Sequence, residues 1–177
     1  MNDLFLKWDG ATDEKEAMDS SILAALQRNK VYVSDDDYSF RSQFREEWAT
    51  LIRNQAKPYR EVGRSISDDE HCAAIQHIAD ELSERFSEHL VGRRLRFGTS
   101  QKAFNCYLKY LWALGEIATP PHCPIDGVVL KRVGISDSWT RCDSREQYMG
   151  WINAIRQHLT LSEWENEVWL RWRLSNS

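Results

Sequence analysis

The sequence predicts an all-α fold, a compact single domain of about seven helices spanning residues 1–177. Apolar residues recur at helical spacing through most of the chain, helix-start signals precede those stretches repeatedly, and no segment alternates as a strand over a useful length. At 177 residues, 42% hydrophobic and 28% charged, the chain can bury a core without metal or disulfide staples, and it lacks the composition of a disordered or low-complexity protein.

Thr12 can cap a first helix running to about Asn29, with Ile22, Leu23 and Leu26 as its apolar stripe. Val-Tyr-Val at 31–33 is β-branched and aromatic but too short to anchor a sheet, so at most a minor short strand is expected there. A second helix from about Ser39 to Ala56 carries Phe40, Phe44, Trp48, Leu51 and Ile52 on one face, and Pro58 ends it. Ser67-Asp-Asp-Glu70 is a capping box opening a third helix, with Ile75, Ile78, Ala79, Leu82, Phe86 and Leu90 inward and Gly92 as its stop. Thr99 or Ser100 caps a fourth helix running to Gly115, with Phe104, Tyr107, Leu108, Leu111 and Trp112 inward.

Asp126 caps a short helix ending near Gly134. Asp143-Ser-Arg-Glu146 opens another, carrying Tyr148, Ile152 and Ile155. Thr160-Leu-Ser-Glu163 opens the last, with Leu161, Trp164, Val168 and Trp172. Five of the eight tryptophans (Trp139, Trp151, Trp164, Trp169, Trp172) fall in the last 39 residues, so this end is expected to dock as core.

The sequence holds no run of 18 apolar residues and the N-terminus lacks the basic-then-apolar pattern of a signal peptide, so a cytoplasmic protein with no membrane partner is expected. Cys72, Cys106, Cys123 and Cys142 are widely spaced without a C-x-x-C, which favours reduced thiols. A zinc site from His71, Cys72, His122 and Cys123 is disfavoured because neighbouring side chains diverge, and no metal is expected. The net charge of −4 argues against a protein that coats nucleic acid nonspecifically. Charge is nevertheless segregated: residues 91–115 carry Arg93, Arg94, Arg96, Lys102 and Lys109 and no acid.

That basic stretch opens the segment richest in chemistry, residues 93–130. Lys102 falls in the first turn of its predicted helix, where the dipole and the three arginines disfavour an ammonium and favour a free amine nucleophile. Asp126, at a helix N-terminus, stays ionised. An amine that can attack and a carboxylate that stays charged suit a reaction passing through a sugar cation.

The order helix, Gly98-Thr99, Lys102, amphipathic helix, Pro124-Ile125-Asp126, helix resembles the helix-hairpin-helix DNA glycosylases, especially the 8-oxoguanine DNA glycosylase branch. The resemblance covers about residues 93–130. It implies a helical scaffold without metal or redox cofactor, with Lys102 as nucleophile and Asp126 as electrostatic partner. It also implies a hairpin at Gly98 and Thr99 whose amides grip a DNA phosphate. The sequence departs from the pattern where Leu95-Arg96-Phe97 replaces the usual second glycine, which leaves phosphate contacts to Arg93, Arg94 and Arg96, with Lys109 and His122 as further DNA contacts. An extruded base would stack on an aromatic side chain, for which Phe97, Trp139 and Tyr107 are placed; Phe97 equally fits a residue packed beneath the following helix.

Each residue also has a plain structural use: Lys102 as a solvated helix residue, Asp126 as an N-cap, the arginines as partners for the acidic N-terminal half. The alternative to a DNA glycosylase is therefore a non-catalytic helical interaction or DNA-binding module, of the kind found in mobile elements or defence systems, with a homodimer or protein partner in place of a substrate.

Overall fold

The computed structural model describes residue 11 and residues 13–27, 29–34 and 38–157. Over these the fold is all-α: α1 (Glu14–Leu26), α2 (Tyr38–Ala56), α3 (Asp68–Phe86), α4 (Phe97–Ala113), α5 (Gly127–Arg132) and α6 (Arg145–Ile155), joined by short 3-10 turns. The helix predicted from Thr160, with Trp164, Trp169 and Trp172, lies outside the described residues, as does the Thr12 cap. The N-cap of α1 is Asp13, whose side chain accepts from Glu16 N. Residues 31–33 form no strand. They make a single antiparallel bridge, Tyr32 to Leu90, with Val33 N–H donating to His89 O and Val91 N–H to Val31 O at 2.9 Å each.

The centre of the fold is α4. Of its 17 residues 15 are buried, so it is covered on all sides by its neighbours, α1, α2 and α3 among them. The predicted stripe of Phe104, Tyr107, Leu108 and Leu111 is buried, but so is the face bearing Gln101, Lys102, Asn105 and Lys109. A second packing centre joins α2 to the end of α3, where Tyr32, Phe40, Phe44, Trp48 and Phe86 meet in edge-on and tilted ring pairs 5.3–5.8 Å apart.

The capping box of α3 forms as predicted, Ser67 Oγ accepting from Glu70 N and Glu70 Oε2 from Ser67 N. Helix α3 ends at Phe86 and gives way to 3-10 turns, short of the stop expected at Gly92. Two N-terminal boundaries also differ from expectation, for a common reason. Helix α4 begins at Phe97, ahead of Thr99 and Ser100, because its first amides are capped from a distance: Phe97 N–H donates to Asp143 Oδ1 (3.3 Å) and Gly98 N–H to Cys142 O (2.9 Å). Asp143, committed there and to Arg94, does not cap α6; Ser144 does.

Gly98 consequently sits inside the helix, with no hairpin turn there. An added Cβ would lie 1.9 Å from the Trp139 carbonyl oxygen, so glycine is required for the close approach of the 139–142 turn.

Candidate functional site

Helix α4 is buried all round, so its polar side chains have to find partners inside the protein. Those on its Gln101-Lys102-Asn105 face find them in the 122–126 segment. Gln101 pairs with the backbone of Ile125 in both directions, its Nε2 donating to Ile125 O (2.7 Å) and its Oε1 accepting from Ile125 N (3.1 Å). Asn105 Nδ2 donates to Cys123 O (3.0 Å). The third link, Lys102 to Asp126, is the one with chemical potential.

Lys102 Nζ donates to Asp126 Oδ2 at 2.8 Å. The other carboxylate oxygen accepts from Val128 N (2.9 Å) and Val129 N (3.1 Å), capping α5. Burial pushes the Asp126 carboxyl up, but the Lys102 ammonium and the two amides outweigh it and hold the group below its ordinary value. Lys102 is 7% exposed, whereas the Asp126 side chain keeps 25% of its surface. Because α4 starts at Phe97, Lys102 lies in its second turn, beyond the unpaired amides that were expected to act on its charge.

Beside this pair runs a buried hydrogen-bonded chain with one consistent direction. Arg156 grips Asp68 with two nitrogens, at 2.7 and 2.5 Å, and those bonds, with help from His122, hold the Asp68 carboxyl well below the usual carboxylate range despite its partial burial. An ionised Asp68 requires the hydrogen of His122 on Nε2 (2.9 Å). Burial lowers the His122 pKa to about 4, so the ring is neutral and its Nδ1 accepts from Tyr148 OH (2.9 Å). Tyr148 in turn accepts from Asn105 Nδ2 (2.9 Å), and Asn105 Oδ1 accepts from His71 Nε2 (2.8 Å). Burial also holds His71 well below its ordinary value, leaving Nδ1 to accept from Tyr59 OH (2.7 Å). Each link of the chain from Tyr59 to His122 donates in the direction of Asp68, while Asn105 Nδ2 also serves Cys123 O.

The structure distributes the other predicted residues widely. Phe97 is 1% exposed and packs on Tyr148 with ring centroids 5.2 Å apart, so in this conformation it lies beneath the helix and no base can reach it. Tyr107 is buried with its hydroxyl on Glu14 Oε1 (2.6 Å), and Trp139 is half-buried. Gly98, Thr99, Lys109 and His122 are buried. Arg93 is exposed and paired with Glu88, while Arg94 is exposed and bonds Asp143 at 3.0 Å.

A concave pocket of about 170 Å³ does gather Arg94, Arg96 and Thr99, together with Lys30 and Arg141, which the sequence did not single out. His71 and His122 face each other at 4.3 Å, but their nitrogens are taken by the chain just described and Cys72 turns to Met149. Among the described residues no group of three or more His, Cys, Asp or Glu side chains could hold a metal ion, and no helix is long and apolar enough to cross a membrane.

No family model, curated protein or solved structure matches the chain.

Proposed function

We propose that the chain is a DNA-processing protein of glycosylase/lyase type, in which Lys102 is the nucleophile and Asp126 the carboxylate that supports it. The supporting observation is the 2.8 Å contact between Lys102 and a helix-capping Asp126 held ionised. A lysine that can pass its proton to a neighbouring carboxylate, and a carboxylate that can face the developing cation, are the two groups that displacement at C1′ of a damaged nucleoside requires. The reading uses no metal or redox cofactor and belongs with a cytoplasmic location.

The reaction balances with these groups alone. Asp126 takes one proton from the Lys102 ammonium, freeing the amine lone pair. That pair forms the C–N bond to C1′ as the glycosidic electrons leave with the base, and the base collects the proton from Asp126. Transfer of a proton from the attached nitrogen to O4′ opens the sugar ring and leaves the protonated Schiff base. Asp126, charged again, sits against the cation. Access to C1′ requires Lys102 to leave its buried contact, and the partly exposed Asp126 marks the side from which substrate would enter.

A second reading is favoured by the burial of Lys102: the pair is a brace fixing α5 to α4 in a non-catalytic DNA-binding or helical interaction module. Base excision separates the two. Duplexes carrying 8-oxoguanine or an abasic site are incubated with the protein and with Lys102→Gln, and strand scission is read with and without alkali. Scission by the wild type and its loss in Lys102→Gln support the enzyme; a wild type that binds either duplex without cleaving it supports the module.

A further inference from the structure

Among the described residues, the pocket at the start of α4 is lined by Lys30, Arg94, Arg96 and Arg141 and by no acidic side chain. Arg94 is neutralised by Asp143 at 3.0 Å. Lys30, Arg96 and Arg141 have no carboxylate partner among the described residues; Arg96 instead donates to the Arg141 carbonyl (3.3 Å), which holds its guanidinium against the 139–141 turn. Three cationic residues thus line one concavity without a carboxylate partner among the described residues, an arrangement whose mutual repulsion an entering anion would relieve.

The inner wall carries a second, independent feature. Thr99 is 2% exposed and lines the pocket, and its Oγ1 accepts from Asn29 Nδ2 at 2.8 Å. Asn29 is itself held by donating to Ala25 O (3.2 Å). No described group accepts the Thr99 hydroxyl hydrogen, so a buried donor fixed by its neighbour remains available to the pocket. The volume of about 170 Å³ is ample, since one water-sized group requires only about 10–15 Å³ of such space.

Backbone geometry completes the wall. Gly92 and Arg93 both adopt positive φ, +70° and +60°. This turn sends Arg93 out to Glu88, and the extended Arg94 that follows leads the chain along the pocket.

We propose that this pocket is a phosphate-binding site, in which Lys30, Arg96 and Arg141 neutralise the oxyanion and Thr99 donates to it. The chemistry is that of a phosphate group, carried by a nucleic-acid backbone or free in solution. The site uses no part of the Lys102–Asp126 pair: failure of phosphate binding leaves that pair untouched, and failure of base excision leaves the pocket.

Calorimetric titrations with inorganic phosphate and with a short DNA duplex test it, using the wild type, Thr99→Val and the double variant Arg96→Gln/Arg141→Gln, each checked for native circular dichroism. Phosphate binding that weakens about tenfold or more in both variants establishes the site. If the duplex weakens in parallel and its salt slope falls by about 1 for one lost phosphate contact, the source is nucleic acid. If phosphate binds and the duplex does not, the source is a free phosphate. No phosphate binding by the wild type, or equal affinity in wild type and variants, overturns the proposal.

Discussion

Lys102 and Asp126, 24 residues apart in the chain, meet at 2.8 Å where the second turn of α4 faces the first amides of α5. Asp126 therefore has two duties, one as a cap and one as a counter-charge, and substitution can separate them. Asparagine caps about as well as aspartate but carries no charge, so Asp126→Asn should cost about 1–2 kcal/mol of unfolding free energy. Asp126→Ala loses the cap as well and should cost roughly 1 kcal/mol more. Urea denaturation at neutral pH checks the order; equal losses would mean that the cap contributes nothing.

The His122 chain predicts acid sensitivity. His122 lies at about 4 in the folded protein against an ordinary 6.5: burial, with the Arg156 charge in the same direction, outweighs the raising effect of Asp68, and His71 and Tyr148 are its other facing neighbours. The unfolded chain therefore binds the proton first. Stability should be full above about pH 6.5 and fall as pH drops toward 4, by on the order of 3 kcal/mol for this group. His71, also lowered, acts in the same direction. Melting temperature followed from pH 7 to 4 checks this, and His122→Gln, which retains a donor and an acceptor, should flatten the curve.

Gly98 predicts a steric failure. With Trp139 O only 1.9 Å from the position of an added Cβ, Gly98→Ala has to push the 139–142 turn off α4. The expected cost is about 1–3 kcal/mol, where an exposed helical glycine would have been stabilised by alanine. The sign of the change in melting temperature decides.

Gln101→Leu is a near-isosteric swap that leaves the Ile125 N–H and C=O without partners in a buried place. A loss of about 1–3 kcal/mol is expected, against a gain if only apolar volume mattered. Faster amide exchange at Ile125 would locate the damage.

Legibility in the sequence followed the range of the interactions. The capping box at Ser67 and Glu70 and the Asp126 cap are local, and both were readable. The start of α4 was not, because Asp143 caps it across 46 residues. For the same reason Asp143, which by local sequence suits the cap of its own helix, is engaged elsewhere and leaves that cap to Ser144. A lysine in a helix reads as solvated, and nothing local to Lys102 announces its burial. Residues Phe97 to Ala113 read as an amphipathic helix with Gln101, Lys102, Asn105 and Lys109 on its polar face; the burial of that face, with Gln101 and Asn105 paired internally, is imposed by the distant 122–126 segment and has no local signal. Lys30 and Arg141 come to the basic pocket from distant segments and have no sequence signature.

Borohydride trapping reads out whether Lys102 is a nucleophile. The protein is incubated with a duplex bearing 8-oxoguanine or an abasic site, reduced, digested, and the covalent adduct is mapped by mass spectrometry. A reduced sugar on Lys102 is expected, absent in Lys102→Gln and diminished in Asp126→Asn. No adduct, or one mapped to another lysine and unchanged in Lys102→Gln, would contradict it and leave the Lys102–Asp126 pair as a brace between two helices.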